Sequence, residues 1–150
     1  MITSDAITWT APNDAHPARS ASQRSYSAVA KGDLEEWLTV YAEDAVIEDP
    51  VGKSMFDPEG TGHRGHDAIR AFWANAIAPI ETFEFDIYES FANPDSNTCA
   101  NIGRIRTTFP DGSHTTTELI MVYVVNDDGR VASMKAYWEP DRTMASFTPA

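Results

Sequence analysis

The residue best placed to do chemistry in this chain is a lone carboxylate, Asp49. Ala45 to Asp49 reads as a short strand, because two β-branched residues sit within it and Pro50-Val51-Gly52 closes it. Strand side chains alternate, so Ala45, Ile47 and Asp49 share one face while Val46 and Glu48 take the other. Pro50 biases Asp49 toward an extended backbone, which helps to fix the direction of its side chain. Two readings fit this spacing. If the stripe faces an apolar interior, the charged form of Asp49 is destabilised, its pKa rises, and it becomes a better base near neutral pH. If the strand ends at the surface, Asp49 simply opens a turn before Pro50.

Other reactive side chains carry weaker signals. Gly62-His63-Arg64-Gly65-His66-Asp67 sets two histidines three apart across a glycine. With no third ligand in view, a loop entering a helix N-terminus accounts for them, and no metal site is expected. The single cysteine, Cys99, cannot form an internal disulfide. With 11 basic and 23 acidic side chains the net charge is −12. Such a surface repels phosphate backbones and anionic lipid, so neither nucleic acid nor a membrane surface is an expected partner. No basic-then-apolar leader opens the sequence and no apolar run approaches membrane-spanning length, so a cytoplasmic location is expected.

The 150 residues suit one domain with a real core. Residues 1–17, with Pro12 and Pro17, read as an extended or mobile N-terminal arm in which Trp9 is the one group expected to dock. Residues 18–140 form the domain and 141–150 a C-terminal tail. Periodicity predicts a helix over 18–31, with Tyr26 the only bulky polar-tipped group on its apolar arc and Gly32 its stop. Such a tyrosine either packs in the core with its hydroxyl bonded locally or presents that hydroxyl to a pocket. Asp33 caps a second helix over 34–41. A Gly/Pro-rich loop follows Asp49, and a third helix over 67–77 presents Ile69, Phe72, Trp73, Ala76 and Ile77 on one face. Strands are predicted over 82–91, 99–109, 115–125 and 131–139, with Pro110-Asp111-Gly112 as a hairpin turn. The strand over 115–125 is apolar on both faces, so one face should meet the core and the other a further element or a second subunit. Helices first and an antiparallel run last make an α+β domain.

Three of these segments together resemble the bacterial ketosteroid isomerases. They are the run from Tyr41 through Asp49-Pro50 to Gly52, the run Gly65 to Trp73, and Asp128-Gly129-Arg130 through Met134 and Ala136 to Trp138. The resemblance spans about Tyr26 to Trp138. It implies the cone-shaped fold shared with nuclear transport factor 2, polyketide cyclases and scytalone dehydratase, a strongly curved sheet and three helices around one deep apolar pocket. It also implies a homodimer and a reaction without a cofactor. In those isomerases a carboxylate base moves a proton on a β,γ-unsaturated ketone while two acidic donors stabilise the enolate oxygen. One of the two donors is a carboxylic acid that its apolar surroundings keep protonated.

Asp49 falls on the base position of that family. The tyrosine donor aligns with Ser25 without a gap, or with Tyr26 if the connection to Gly32 is one residue shorter, and Tyr26 is preferred. The second donor, a protonated acid in the family, aligns with Met121, which cannot donate a hydrogen bond. Tyr41, Trp73, Leu119, Met121, Met134 and Trp138 are the expected substrate-contacting wall. Arg104 and Arg106 face the pocket in an ungapped register, or face solvent if a bulge turns Ile105 inward. The expected activity is an isomerase-like proton transfer on an apolar, polycyclic or steroid-like carbonyl compound. A polyketide cyclase or dehydratase reaction on the same fold is one alternative, and a non-catalytic binder of a hydrophobic small molecule is another.

Overall fold

The computed structural model describes residues 5–150, so the first four residues of the expected arm lie outside the described part. Helices lead. α1 (Pro17–Lys31) starts with Pro17 in its first turn and is capped by the His16 ring, which accepts from the Ala18 N–H (3.1 Å). It ends where Gly32 takes the left-handed conformation, φ 70°, that side-chain-bearing residues disfavour. α2 (Leu34–Val40) begins under the Asp33 carboxylate, which accepts from the Glu36 N–H (3.0 Å). α3 (Gly65–Phe72) runs into a π-helical turn over Trp73–Ile77.

The strands are β1 (Ile7–Trp9), β2 (Tyr41–Glu48), β3 (His63–Arg64), β4 (Thr82–Phe91), β5 (Thr98–Thr108), β6 (His114–Val125) and β7 (Val131–Tyr137). They form one curved, unclosed sheet in the order β1-β4-β5-β6-β7-β2-β3. The fold is therefore the α+β cone, with the helices packed inside the curl. Curvature has local causes. β4 shifts register between Ile87 and Glu89, and a bulge of this kind bends its strand. Gly103 lies opposite, where a Cβ would collide with the Asp86 carbonyl and the Ile87 side chain. A glycine in a strand permits that close approach.

Alternation on β6 builds the core. Thr115, Thr117, Leu119, Met121, Tyr123 and Val125 are buried on the inner face, while Ile120 on the outer face is 44% exposed. No element of the described chain supplies the second cover that the doubly apolar pattern predicted for Ile120. β2 is longer than the sequence pattern suggested, because a register shift between Tyr41 and Val46 lets pairing with β7 begin directly after α2.

Both ends of the chain depart from the expected arm and tail. Ile7–Trp9 pairs in parallel with β4, and Trp9 is buried against its own chain with its indole N–H on the Pro12 carbonyl (3.3 Å). Backbone pairing with an exposed sheet edge explains this order, and a composition rich in proline and small residues does not reveal it. At the other end, residues 140–145 form α4 (Pro140–Ala145). The Ser146 hydroxyl ties it to β6 by accepting from the Thr116 N–H (2.8 Å) and donating to the Thr116 carbonyl (3.0 Å).

Candidate functional site

The sheet, α3, the 52–62 loop and α4 enclose a cavity of about 410 Å³, a volume suited to a drug-sized ligand. Its walls are mostly apolar and include Phe56, Phe72, Ile77, Phe83, Ile105 and Met144. Asp49 is the only ionisable group in that lining. A second hollow of about 490 Å³ lies on the outer face of the sheet and has charged walls in Glu118, Glu139 and Arg142. Asp49 does not reach it, so the inner cavity is the candidate site.

Asp49 follows β2 directly, and its peptide bond to Pro50 is cis. The chain is held beside β7, where the Val51 N–H donates to the Ala136 carbonyl (2.9 Å). Trp138, just past the end of β7, donates its indole N–H to Asp49 Oδ1 (2.6 Å). Burial raises the Asp49 pKa to about 6 from an ordinary 3.8, and the Trp138 donation draws it part of the way down. A carboxylate poised near 6 is largely ionised at neutral pH yet more basic than an exposed one, which suits a general base. Of the two readings of the short strand, the one with Asp49 in an apolar interior matches this geometry.

Tyr26 takes the core rather than the cavity lining. Its hydroxyl accepts from Asn101 Nδ2 (2.9 Å) and donates to the Met121 sulfur (3.5 Å). Burial holds its phenol well above the usual range. Tyr123 points its own hydroxyl at the same sulfur (3.8 Å), so two phenols converge on one thioether, a weak acceptor. Asn101 and Met121 face each other in the β5–β6 register, and Met121 faces Ala136 across β6–β7. The row therefore runs from Asn101 through Met121 and Ala136 to Asp49. Of that row only Asp49 lines the cavity, while Asn101, Met121 and Ala136 are buried in the core.

Ser25, the ungapped alternative to Tyr26, binds elsewhere. Its hydroxyl accepts from the Trp37 indole (3.0 Å) and pairs with the Tyr41 hydroxyl (3.1 Å). Of the expected wall, Leu119 and Trp138 line the cavity. Tyr41, Trp73, Met121 and Met134 are buried in the core behind that lining. Trp73 packs on Trp37 with ring centroids 5.1 Å apart. Arg104 and Arg106 point outward, Arg104 to Asp86 (3.3 Å) and Arg106 to Glu84 (3.8 Å), while Ile105 turns inward. His63 packs on Phe72, with centroids 4.9 Å apart, and His66 donates to the Tyr41 carbonyl (3.0 Å). No group of three or more His, Cys, Asp or Glu among the described residues is arranged to hold a metal ion.

Several lining residues escaped the sequence reading. Thr115 and Thr117 continue the inner face of β6 two and four residues before Leu119, so alternation carried back from Leu119 would have found them. Met55, Phe56, Thr143 and Met144 come from the loop and α4, and no periodicity in the sequence signals them.

Residues 22–134 match the model of a SnoaL-like domain family. The chain belongs to the SnoaL-like family. Within it, this chain is 30% identical over 122 residues to a steroid Delta-isomerase from Nocardioides simplex, covering 81% of this chain and 89% of that protein. Among solved structures, a Delta 5-3-ketosteroid isomerase from Mycobacterium sp. superposes with a TM-score of 0.80 at 34% identity, covering 91% of this chain and all of the other. RV0760c from Mycobacterium tuberculosis, in complex with estradiol-17beta-hemisuccinate, gives 0.79 at 34% identity, covering 89% and 99% respectively. The SnoaL-like chain is thus ketosteroid-isomerase-like in sequence and in fold. No helix among its described residues is long and apolar enough to cross a membrane.

Proposed function

We propose that this protein is an isomerase-like enzyme that moves a proton on an apolar, polycyclic carbonyl compound, with Asp49 as the base. The observation carrying this reading is a carboxylate of pKa about 6 that lines a largely apolar cavity of about 410 Å³. Asp49 removes a proton from the carbon between the carbonyl and the double bond of a β,γ-unsaturated ketone. The electron pair delocalises into a dienolate, and Asp49 returns the proton at the γ-carbon, leaving the conjugated isomer. Trp138 holds the carboxylate in place throughout.

Tyr26 is the proposed oxyanion donor. Asn101 occupies one lone pair of its hydroxyl and leaves the O–H free to donate. A carbonyl oxygen that displaces the flexible Met121 side chain replaces a thioether with a stronger acceptor, and the O–H bond to it strengthens as charge develops. Relatives named as steroid isomerases, and one solved with a steroid derivative, support a steroid-like substrate. The outward Ile120 supports self-association through the outer sheet face.

Turnover of a β,γ-unsaturated ketosteroid to its conjugated isomer, followed by ultraviolet absorbance, tests the reading. Wild type should turn over, and Asp49→Asn should lose roughly 10²–10⁴-fold. Full activity in Asp49→Asn would remove Asp49 from the mechanism. A cyclase or dehydratase reaction using Asp49 alone is the second reading, favoured by the sulfur of Met121 at the place of the isomerases' acidic donor. Saturable binding with no turnover of any carbonyl substrate would assign the protein to ligand binding.

A further inference from the structure

Of the residues that line the inner cavity, two are exposed, and both are methionines. Met55 is 65% exposed and Met144 55%. A side chain that lines a cavity and also meets solvent stands where that cavity opens, so these two thioethers form the rim of its mouth. Met55 sits in a tight turn of the 52–62 loop, closed by paired backbone bonds between Ser54 and Asp57 (3.0 and 3.1 Å). The Asp57 carboxylate braces the loop by accepting from the Gly60, Thr61 and Gly62 N–H groups (3.1, 3.3 and 2.7 Å). Met144 lies on α4, which Ser146 ties to β6. The backbone thus holds both residues at the mouth, whereas their unbranched side chains stay flexible.

Exposure matters because a methionine thioether is readily oxidised wherever an oxidant reaches it. Met121 is 1% exposed and Met134 7%, so the fold shields the two methionines of the core. Cys99, the one thiol, is buried, and burial pushes its pKa up, which withholds the reactive thiolate. Among the described residues, an oxidant therefore finds accessible sulfur only at the cavity mouth. The product matters as well. Oxidation turns a flexible apolar chain into one that carries a strongly hydrogen-bonding S=O dipole. An apolar ligand that packs against the rim must then strip water from that oxygen.

We propose that Met55 and Met144 are a peroxide-modified pair that makes ligand binding in the cavity redox-sensitive. In the step, a sulfur lone pair attacks one oxygen of hydrogen peroxide, and the O–O bond breaks as the S–O bond forms. The departing hydroxide takes up the proton of the transferred hydroxyl and leaves as water. Each methionine is oxidised by two electrons, and the peroxide is reduced by the same two. A thiol-dependent sulfoxide reductase reverses the change, so the device is a switch rather than a lesion. The inference rests on the reading of the cavity as a ligand site and is independent of the chemistry assigned to Asp49.

Prodan, an uncharged naphthyl ketone whose fluorescence rises in apolar surroundings, is the probe. The protein is treated with dilute hydrogen peroxide, checked for folding by thermal melting, and mapped by peptide mass spectrometry. One added oxygen should appear at Met55 and at Met144 before any appears at Met121 or Met134. Prodan affinity should fall at least ~5-fold, the lower end of the cost of desolvating an unpaired polar group. The double variant Met55→Leu, Met144→Leu, compared with its own untreated form, should keep its affinity after peroxide. Oxygen appearing first at the core methionines, or unchanged prodan affinity in doubly oxidised wild type, overturns the proposal. A peroxide effect that persists in the double leucine variant overturns the assignment to this pair. Untreated wild type that takes up no prodan overturns the cavity as a ligand site, and the switch with it. Should the leucine variant fail to fold, a methionine sulfoxide reductase acting on oxidised wild type decides. Affinity should return, and failure to regain it overturns the switch.

Discussion

Replacing Asp49 with asparagine should make the protein more stable while it cuts turnover roughly 10²–10⁴-fold, and the gain should depend on pH. The folded-state pKa of about 6 lies above the ordinary 3.8, so the folded protein holds the proton more tightly than the unfolded chain. The stability that this group contributes is therefore fully present below about pH 3.8 and is lost as pH rises through about 6. At about 1.4 kcal/mol per pH unit, the gap between 3.8 and about 6 corresponds to roughly 3 kcal/mol of destabilisation by the ionised carboxylate. Asparagine keeps the shape, still accepts from the Trp138 indole, and carries no charge to desolvate. Asp49 is partly exposed, which reduces the expected gain at pH ~8 to about 1–3 kcal/mol, or roughly 2–12 °C in Tm for a chain of this length. Urea unfolding of both proteins across pH ~4 to ~8 measures the difference directly. It should shrink toward zero at the acid end. A difference that stays flat with pH, or an asparagine variant less stable than wild type at pH ~8, would refute the claim that Asp49 is a strained, desolvated carboxylate.

Trp138→Phe removes the donor that draws the Asp49 pKa down, so the acid limb of the pH–rate profile should move to higher pH. An unmoved limb would mean that the indole bond does not act on the reacting carboxylate. Met121→Asp places a carboxylic acid beside the Tyr26 and Tyr123 hydroxyls and should raise ketosteroid isomerisation by roughly 10²–10³-fold if the new acid stays protonated. A folded variant with no gain on any β,γ-unsaturated ketosteroid would sink the steroid assignment. Sedimentation at micromolar concentration should show a dimer that Ile120→Lys dissociates, because Ile120 is exposed on the outer face of β6. Wild type sedimenting only as a monomer would count against association through that face.

The sequence by itself determined the elements whose signals are local. α1 stops at Gly32 because only a residue without Cβ takes that backbone freely, and α2 starts at Asp33 because its carboxylate reaches the Glu36 N–H. Strand alternation set the inner face of β6 and put Asp49 in line with Ala45 and Ile47, as period two requires. The tertiary structure decided what depends on curvature and on distant chain. The register shift in β4 lies within the curl that sends Arg104 and Arg106 outward and Ile105 inward. Trp9 and α4 are ordered by pairing and capping against β4 and β6, contacts separated by many residues from their own segments. Which aromatic side chains line the cavity, and which are packed behind it, was likewise a tertiary outcome. Tyr41 and Trp73 both pack on Trp37, and the Tyr41 hydroxyl pairs with Ser25, so both aromatic groups are spent on α1 and α2 rather than on the cavity. A sequence pattern reports which face of an element is buried. Only the packing of elements against one another reports whether that face meets protein or an open cavity.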